Sequence, residues 1–348
     1  MKLRIYLIII IPIFFLGPFI GSSLAIMGMD NHTYQMSLPA QEVSQSIEEL
    51  EKGISSLHQN AAMVCESAAE LEREYQEQEQ TLEELAIISQ SHKELSDKLY
   101  EERIIAMLGP AIDSYTSDKV NIKLFKLDEL GYRGYIAKVK LLDPSAVKVV
   151  LGQDELGGLE TTSSAVSRTG AILGVNGGGF FNSGEKILPI GNTVVDGEFV
   201  SGFHPSNGDV FFTGISKNGK LIGGKFYEKE SLTQLNPQQG VSFLPILIKA
   251  GKPQPVPEEW QSTKQPRTII GEYANGDFIM IVVDGRQSDW SSGVTLERLQ
   301  NKLAELGVKE GYNLDGGGSS TMVFKGQVLN RPSDGKERKV SNNIVIMP

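Results

Sequence analysis

From residue 43 onward the apolar positions recur at alternate steps of four and three: Val43, Ile47, Leu50, Ile54, Leu57, Ala61, Val64, Ala68, Leu71, Tyr75, Gln78, Leu82 and Leu85. That alternation is the seam of a heptad repeat, in which one narrow stripe of a helix is buried and the rest is solvated. Glu, Gln and Ser fill the positions between. The pattern slips to Ile88, Leu95 and Leu99, and Gly109-Pro110 ends it. The spacing predicts an acidic coiled-coil stalk over 40–108, reaching roughly 100 Å at 1.5 Å per residue, or half that as a hairpin. Such a stalk can pair two chains into a homodimer; a solvated single helix is the alternative. Cys65 falls beside the seam, where it reads as a buried thiol or as a bridge between chains.

A different pattern precedes the stalk. Residues 5–29 carry no charge and are dominated by Ile, Leu and Phe, with Lys2 and Arg4 ahead of them. The length suffices to cross a bilayer, and the two cations would keep the N-terminus inside. Residues 1–30 therefore read as a membrane anchor, with the rest of the chain outside the cell. Ser23 and Ala25 form a small-x-small pair, so a signal peptide cut after Ala25, giving a secreted protein, is the other reading.

From residue 111 the periodicity becomes that of a mixed domain. Strands are predicted at 120–127, 132–141 and 147–151, a short helix at 161–169, and a buried strand at 171–175. Asn218-Gly219 and Asn275-Gly276 read as hairpin turns, the second between strands 269–273 and 278–283. Leu296, Leu299, Leu303 and Leu306 mark a helix over 295–306 that closes at Gly307. Strands at 312–314, 322–324 and 342–347 complete a β-rich α+β domain with a mixed sheet over 111–348.

Charge sharpens this division. The chain's formal net charge is −10, yet residues 41–103 alone hold −11, leaving the remainder at +1. That balance argues against a nucleic-acid-binding protein. One cysteine excludes an intramolecular disulfide and a cysteine zinc cage, and His204 is the only histidine after residue 103. Acid–base chemistry in the domain therefore falls on carboxylates.

Three predicted strands run into polar, glycine-rich turns. They are Asn176-Gly-Gly-Gly-Phe180-Phe181-Asn182, Asp284-Gly-Arg286, and Asn313-Leu-Asp315-Gly-Gly-Gly-Ser319-Ser320-Thr321. Three strands ending this way suggest one shared rim, since glycine admits positive φ and close backbone approach to a ligand. No Gly-Lys-Ser/Thr follows, and Thr321 stands where a nucleophile elbow needs glycine, so a P-loop and a serine-hydrolase turn are both excluded.

With Pro-Ile-Gly-Asn at 189–192, Arg-Thr-Ile-Ile-Gly at 267–271, Gly-Val-Thr-Leu-Glu at 293–297 and Arg-Pro-Ser-Asp at 331–334, these motifs stand in an order that resembles the phosphodiester glycosidase family over about 165–348. The resemblance implies hydrolysis of a sugar C1–O bond to phosphate, in an N-acetylglucosamine-1-phosphodiester-like group of cell-envelope or exopolysaccharide glycans. Such a site needs an anion clamp and a carboxylate. Arg286 and Arg338 are the expected fork, with Gly316, Gly317, Gly318, Ser319 and Ser320 as a loop of backbone donors. Asp315, Asp284 and then Glu297 are the candidate catalytic carboxylates. Asn176, Gly178, Phe180 and Asn182 are candidate sugar contacts, and Asp196 reads as a turn residue. No cofactor is implied; the aspartates would suit Ca²⁺ or Mg²⁺, though no ligand spacing establishes a metal. A noncatalytic glycan-binding or envelope-scaffold module is the rival reading.

Overall fold

The computed structural model describes residues 40–184 and 186–348. The apolar run at 5–29 lies outside them. Among the described residues no helix is long and apolar enough to cross a membrane.

Ala40–Leu108 is a single α-helix of 69 residues, and the chain divides into two compact units between Leu85 and Ala86. In the first unit the predicted seam is bare: Leu50, Leu57 and Leu82 are 65%, 69% and 67% exposed. Cys65 is exposed as well, which corrects the buried-thiol reading. Cys65 stands beside the seam rather than on it, so its own helix does not cover the thiol.

The second unit, Ala86–Pro348, includes the end of that helix. It is built on an eight-stranded sheet. The strand order is Asp113–Thr116, Val120–Glu129, Tyr132–Leu141, Phe278–Val283, Arg267–Tyr273, Val308–Leu314, Ile246–Lys249 and Lys252–Pro253. Phe278–Val283 shows why the sequence there is continuously apolar. Phe278, Met280 and Val282 enter one core cluster while Ile279, Ile281 and Val283 enter another, so the strand is buried on both faces. The first cluster lies between the large sheet and two five-stranded sheets, to which Leu173, Val175, Phe211, Val241, Met322 and Ile344 contribute.

Helices close the other face. Leu296–Leu306 buries Leu296, Leu299, Leu303 and Leu306 on one stripe, with Thr295 capping its start through the Arg298 N–H and Gly307 ending it in the left-handed region. The last turns of the long helix dock beside it. Ile104 is fully buried among Phe125, Ile136, Ile281 and Leu303, and the Tyr100 and Tyr273 rings lie 5.0 Å apart. Asp97 pairs with Lys140 and with the Asn275 amide at the predicted hairpin turn, and Glu101 pairs with Lys123. The heptad positions Leu95 and Leu99 stay exposed here. A second stripe, Asp97, Tyr100, Glu101 and Ile104, has taken over at the spacing of an ordinary amphipathic helix.

Candidate active site

The rim expected from the three glycine-rich turns forms around the start of the strand Arg267–Tyr273. The Pro266 carbonyl accepts the Gly317 N–H at 2.9 Å. Gly285 packs so tightly on Pro266 that a methyl group there would sit 2.6 Å from its nitrogen. Asn176, at the end of Leu173–Asn176, ties the third turn in. Its Nδ2 donates to the Asp315 carbonyl at 2.6 Å, and its Oδ1 accepts from Thr268 Oγ1 at 2.7 Å and from the Thr321 N–H at 3.1 Å. The Asp315 N–H in turn donates to the Gly177 carbonyl.

Gly177, Gly178 and Gly179 serve close approach rather than positive φ. A side chain on any of them would run into Asn342, Ser242 or Phe243, and the Gly178 N–H donates to Asn342 Oδ1 at 2.8 Å. Asn176 is itself completely buried. Both residues hold the rim together from beneath, so the sugar contacts expected of Asn176 and Gly178 are not where the structure puts these groups.

The two aspartates part company. Asp284 is 1% exposed, and three donors fill its carboxylate: Trp290 Nε1 at 2.8 Å, Asn330 Nδ2 at 3.0 Å and the Arg331 N–H at 2.9 Å. Burial still raises its carboxyl above the ordinary range against those bonds. A carboxylate so occupied is a bracket. Through Asn330, which also donates to the Ser320 carbonyl at 3.0 Å, Asp284 fixes the 284–291 turn to the glycine loop. Asp315 is half-buried. Burial raises its carboxyl too, opposed by the Ser319 hydroxyl lying outside ideal hydrogen-bond geometry, by the Arg338 charge and by the Gly316 N–H.

Two arginines from separate segments converge on the loop. Arg286 holds a left-handed backbone at φ 63° and is steadied by its Nε donating to Gln265 Oε1 at 2.7 Å. Its Nη2 lies 3.0 Å from where a Gly317 side chain would begin. The Arg338 guanidinium lies directly on Gly318, where any side chain would collide with it. Behind them is Arg267, 3% exposed and held down to about 10 by burial and by the neighbouring Arg286 charge. Its Nη2 donates to the Thr263 carbonyl at 3.0 Å. A buried guanidinium facing another cation favours an anion nearby.

The loop itself corrects one expectation. Gly317–Ser319 is a 3₁₀ turn, and the N–H groups of Gly317, Ser319 and Ser320 donate to the carbonyls of Pro266, Gly316 and Gly317. The guanidinium groups rather than those amides are the donors facing out, and the Ser319 and Ser320 side chains are buried below. Glu297 is exposed in the first turn of its helix, and no contact among the described residues joins it to Asp315 or Asp284. Asn182 closes its own turn, accepting the Gly184 N–H at 2.8 Å. Phe180 is half-buried on the strand Phe180–Asn182, while Phe181 lines an apolar pocket with Ile190, His204, Pro205 and Val210. Asp196 is a turn residue at φ 49°. Sequence reasoning passed over Arg267 and Asp334, although both stand in the motifs quoted; nothing in the sequence tells which motif arginine or aspartate faces the loop.

The profile of the phosphodiester glycosidase family matches residues 169–347. The chain belongs to this family. Every rim residue from Asn176 to Arg338 falls inside the match, whereas the long helix and the strands up to Tyr132–Leu141 precede it. Among curated relatives, an uncharacterized SPbeta prophage-derived protein of Bacillus subtilis, YomE, is 30% identical over 192 residues, 54% of this chain and 29% of that protein. The mouse N-acetylglucosamine-1-phosphodiester alpha-N-acetylglucosaminidase is 30% identical over 190 residues, 50% of this chain and 36% of the enzyme. The chain thus spans about a third of the length of the curated relatives it matches. The catalytic domain of the zebrafish enzyme of that name superposes with a TM-score of 0.53 at 25% identity, covering 69% of this chain and 86% of that one. Among the described residues, no group of three or more His, Cys, Asp or Glu side chains gathers as a metal site in this family member.

Proposed function

We propose that this chain is a hydrolase that cleaves the C1–O bond between a sugar, of the N-acetylglucosamine-1-phosphodiester type, and the phosphate of an envelope or exopolysaccharide glycan. One observation carries the reading: Arg286 and Arg338 meet over Gly317 and Gly318 beside a half-buried Asp315. The guanidinium groups, backed by Arg267, take the phosphate by paired charge-assisted hydrogen bonds. A phosphodiester leaves readily, so the protein's main tasks are to hold its charge and to activate water. Asp315, made more basic by burial, accepts a proton as water oxygen bonds to C1. The C1–O electron pair departs with the phosphate. The products are a free sugar and a phosphomonoester.

Hydrolysis in ¹⁸O-labelled water tests this. The label is expected at sugar C1, with turnover lost in Asp315→Ala and strongly reduced in Arg338→Ala. Label in the phosphate, or undiminished turnover of Asp315→Ala, overturns it.

A further inference from the structure

Asp334 brings a second carboxylate to the anion seat, at Gly318. Its Oδ2 accepts from Arg338 Nη2 at 2.9 Å, and a side chain on Gly318 would strike both groups. Ser333 Oγ steadies the other oxygen at 3.2 Å. The side chains of Arg338 and Asp334 are 43% and 41% exposed, so the pair lies at the mouth. Arg338 and Arg286 together hold the Asp334 carboxyl below its ordinary range, so it carries its charge throughout the neutral pH range. Other charges near the seat are Arg267 and Asp315 beneath it and Lys336 and Lys339 on the same segment; Glu337 lines the same pocket, with its carboxylate accepting the Ser163 N–H at 3.0 Å.

We propose that Asp334 is a specificity-determining residue, placed so that the seat admits a singly charged phosphodiester and repels the doubly charged phosphomonoester that hydrolysis leaves. The inference rests on the reaction proposed above and deepens it. A diester carries one negative charge at any pH near neutrality. A monoester gains a second as pH passes about 6. The three arginines outnumber Asp334 and an ionised Asp315 by one charge, which the diester fills, and the monoester's second charge then meets Asp334 at contact range, where like charges are costly even with solvent nearby. Breaking the C1–O bond adds that second charge within the seat, so the same carboxylate speeds product departure.

Calorimetric titration of the full chain with methyl phosphate and with dimethyl phosphate, which offers no sugar C1–O bond, tests this without turnover. In the native protein the affinity for methyl phosphate, relative to dimethyl phosphate, is expected to fall between pH 5 and pH 8. In Asp334→Asn that fall should vanish, with methyl phosphate gaining about tenfold at pH 8 and dimethyl phosphate changing little. Asp315 also titrates, but it is common to both proteins and to both ligands. Asp334→Ser should behave like Asp334→Asn. An unchanged ratio of the two affinities, or an equal gain for both ligands, overturns the assignment. A shifted ratio in a protein that hydrolyses no sugar phosphodiester would uphold Asp334 and sink the glycosidase reading instead; hydrolysis with an unmoved ratio does the reverse.

Discussion

The side-chain amide of Asn176 donates to the backbone carbonyl of Asp315 at 2.6 Å, across 139 positions of sequence. This single contact locks the strand carrying the first glycine run to the residue proposed to face the substrate. Asn176→Ala would strand three buried partners: the Asp315 carbonyl, the Thr268 hydroxyl and the Thr321 N–H. The expected loss is about 3 kcal/mol or more in urea unfolding, since each orphaned buried group costs of order 1 kcal/mol or above. Activity should fall along with stability; a variant of native stability would show that the amide is not a keystone.

Asp315 should trade stability for chemistry. Its carboxyl is raised in the folded chain, so the native state prefers it protonated. Its contribution to stability is present below the unfolded value of about 3.9 and is lost as pH rises through the folded value. At pH 7 the ionised group is therefore a net cost. Asp315→Asn should melt above the native protein at pH 7, with the difference shrinking toward pH 4, while turnover disappears. A lower melting temperature at pH 7 would count against this account.

Gly318→Ala isolates the clamp from the fold. The added methyl must push aside the Arg338 guanidinium and the Asp334 carboxylate, neither of which is a core group. Displacing the phosphate donors by about 1 Å should cost on the order of a hundredfold in kcat/KM. Circular dichroism and melting should stay close to native, and a collapse of either would mean the glycine serves folding first.

A second copy of the long helix, proposed from the heptad spacing, would cover the exposed seam. On one flank of it stand Ser46, Gly53, Asn60, Ser67, Glu74 and Thr81, nearly all uncharged, while Glu48, Glu49, Glu70, Glu77, Glu83 and Glu84 point outward. The other flank carries Glu51, Glu72 and Glu79, so in a parallel pair only Glu74 of one helix and Glu79 of the other set acid against acid. In a full chain with Cys65→Ser, Leu57→Cys should oxidise to a linked dimer and Gln59→Cys should not. Equal cross-linking of the two would indicate random collision.

Much of this architecture was readable from residue order, for reasons that differ by element. The strand Phe278–Val283 announced itself because burial on both faces demands an unbroken apolar run, and the helix Leu296–Leu306 because one buried stripe plus a Thr cap and a Gly stop is a local pattern. The Asp-Gly-Gly-Gly turn was visible as chemistry, but its direction was not. The Gly317 N–H is taken by the Pro266 carbonyl from a distant strand, and those of Ser319 and Ser320 by the loop's own Gly316 and Gly317 carbonyls, which only the folded turn reveals. Asp284 is a similar case: its surroundings are set by Trp290, Asn330 and the Arg331 N–H arriving from elsewhere in the chain. Asp334 sits in a motif that sequence reading did include, yet only the fold lays it on Gly318.

The docked end of the long helix sets where this protein can be cut. Sequence periodicity places the boundary after residue 108, but Ile104 is fully buried and Tyr100 lies against Tyr273. A fragment starting at 111 would uncover an apolar trough beside Phe125 and Ile136 and leave Lys140 without its Asp97 partner, an invitation to aggregate on expression. The shortest piece that carries its own plug begins near Ala86.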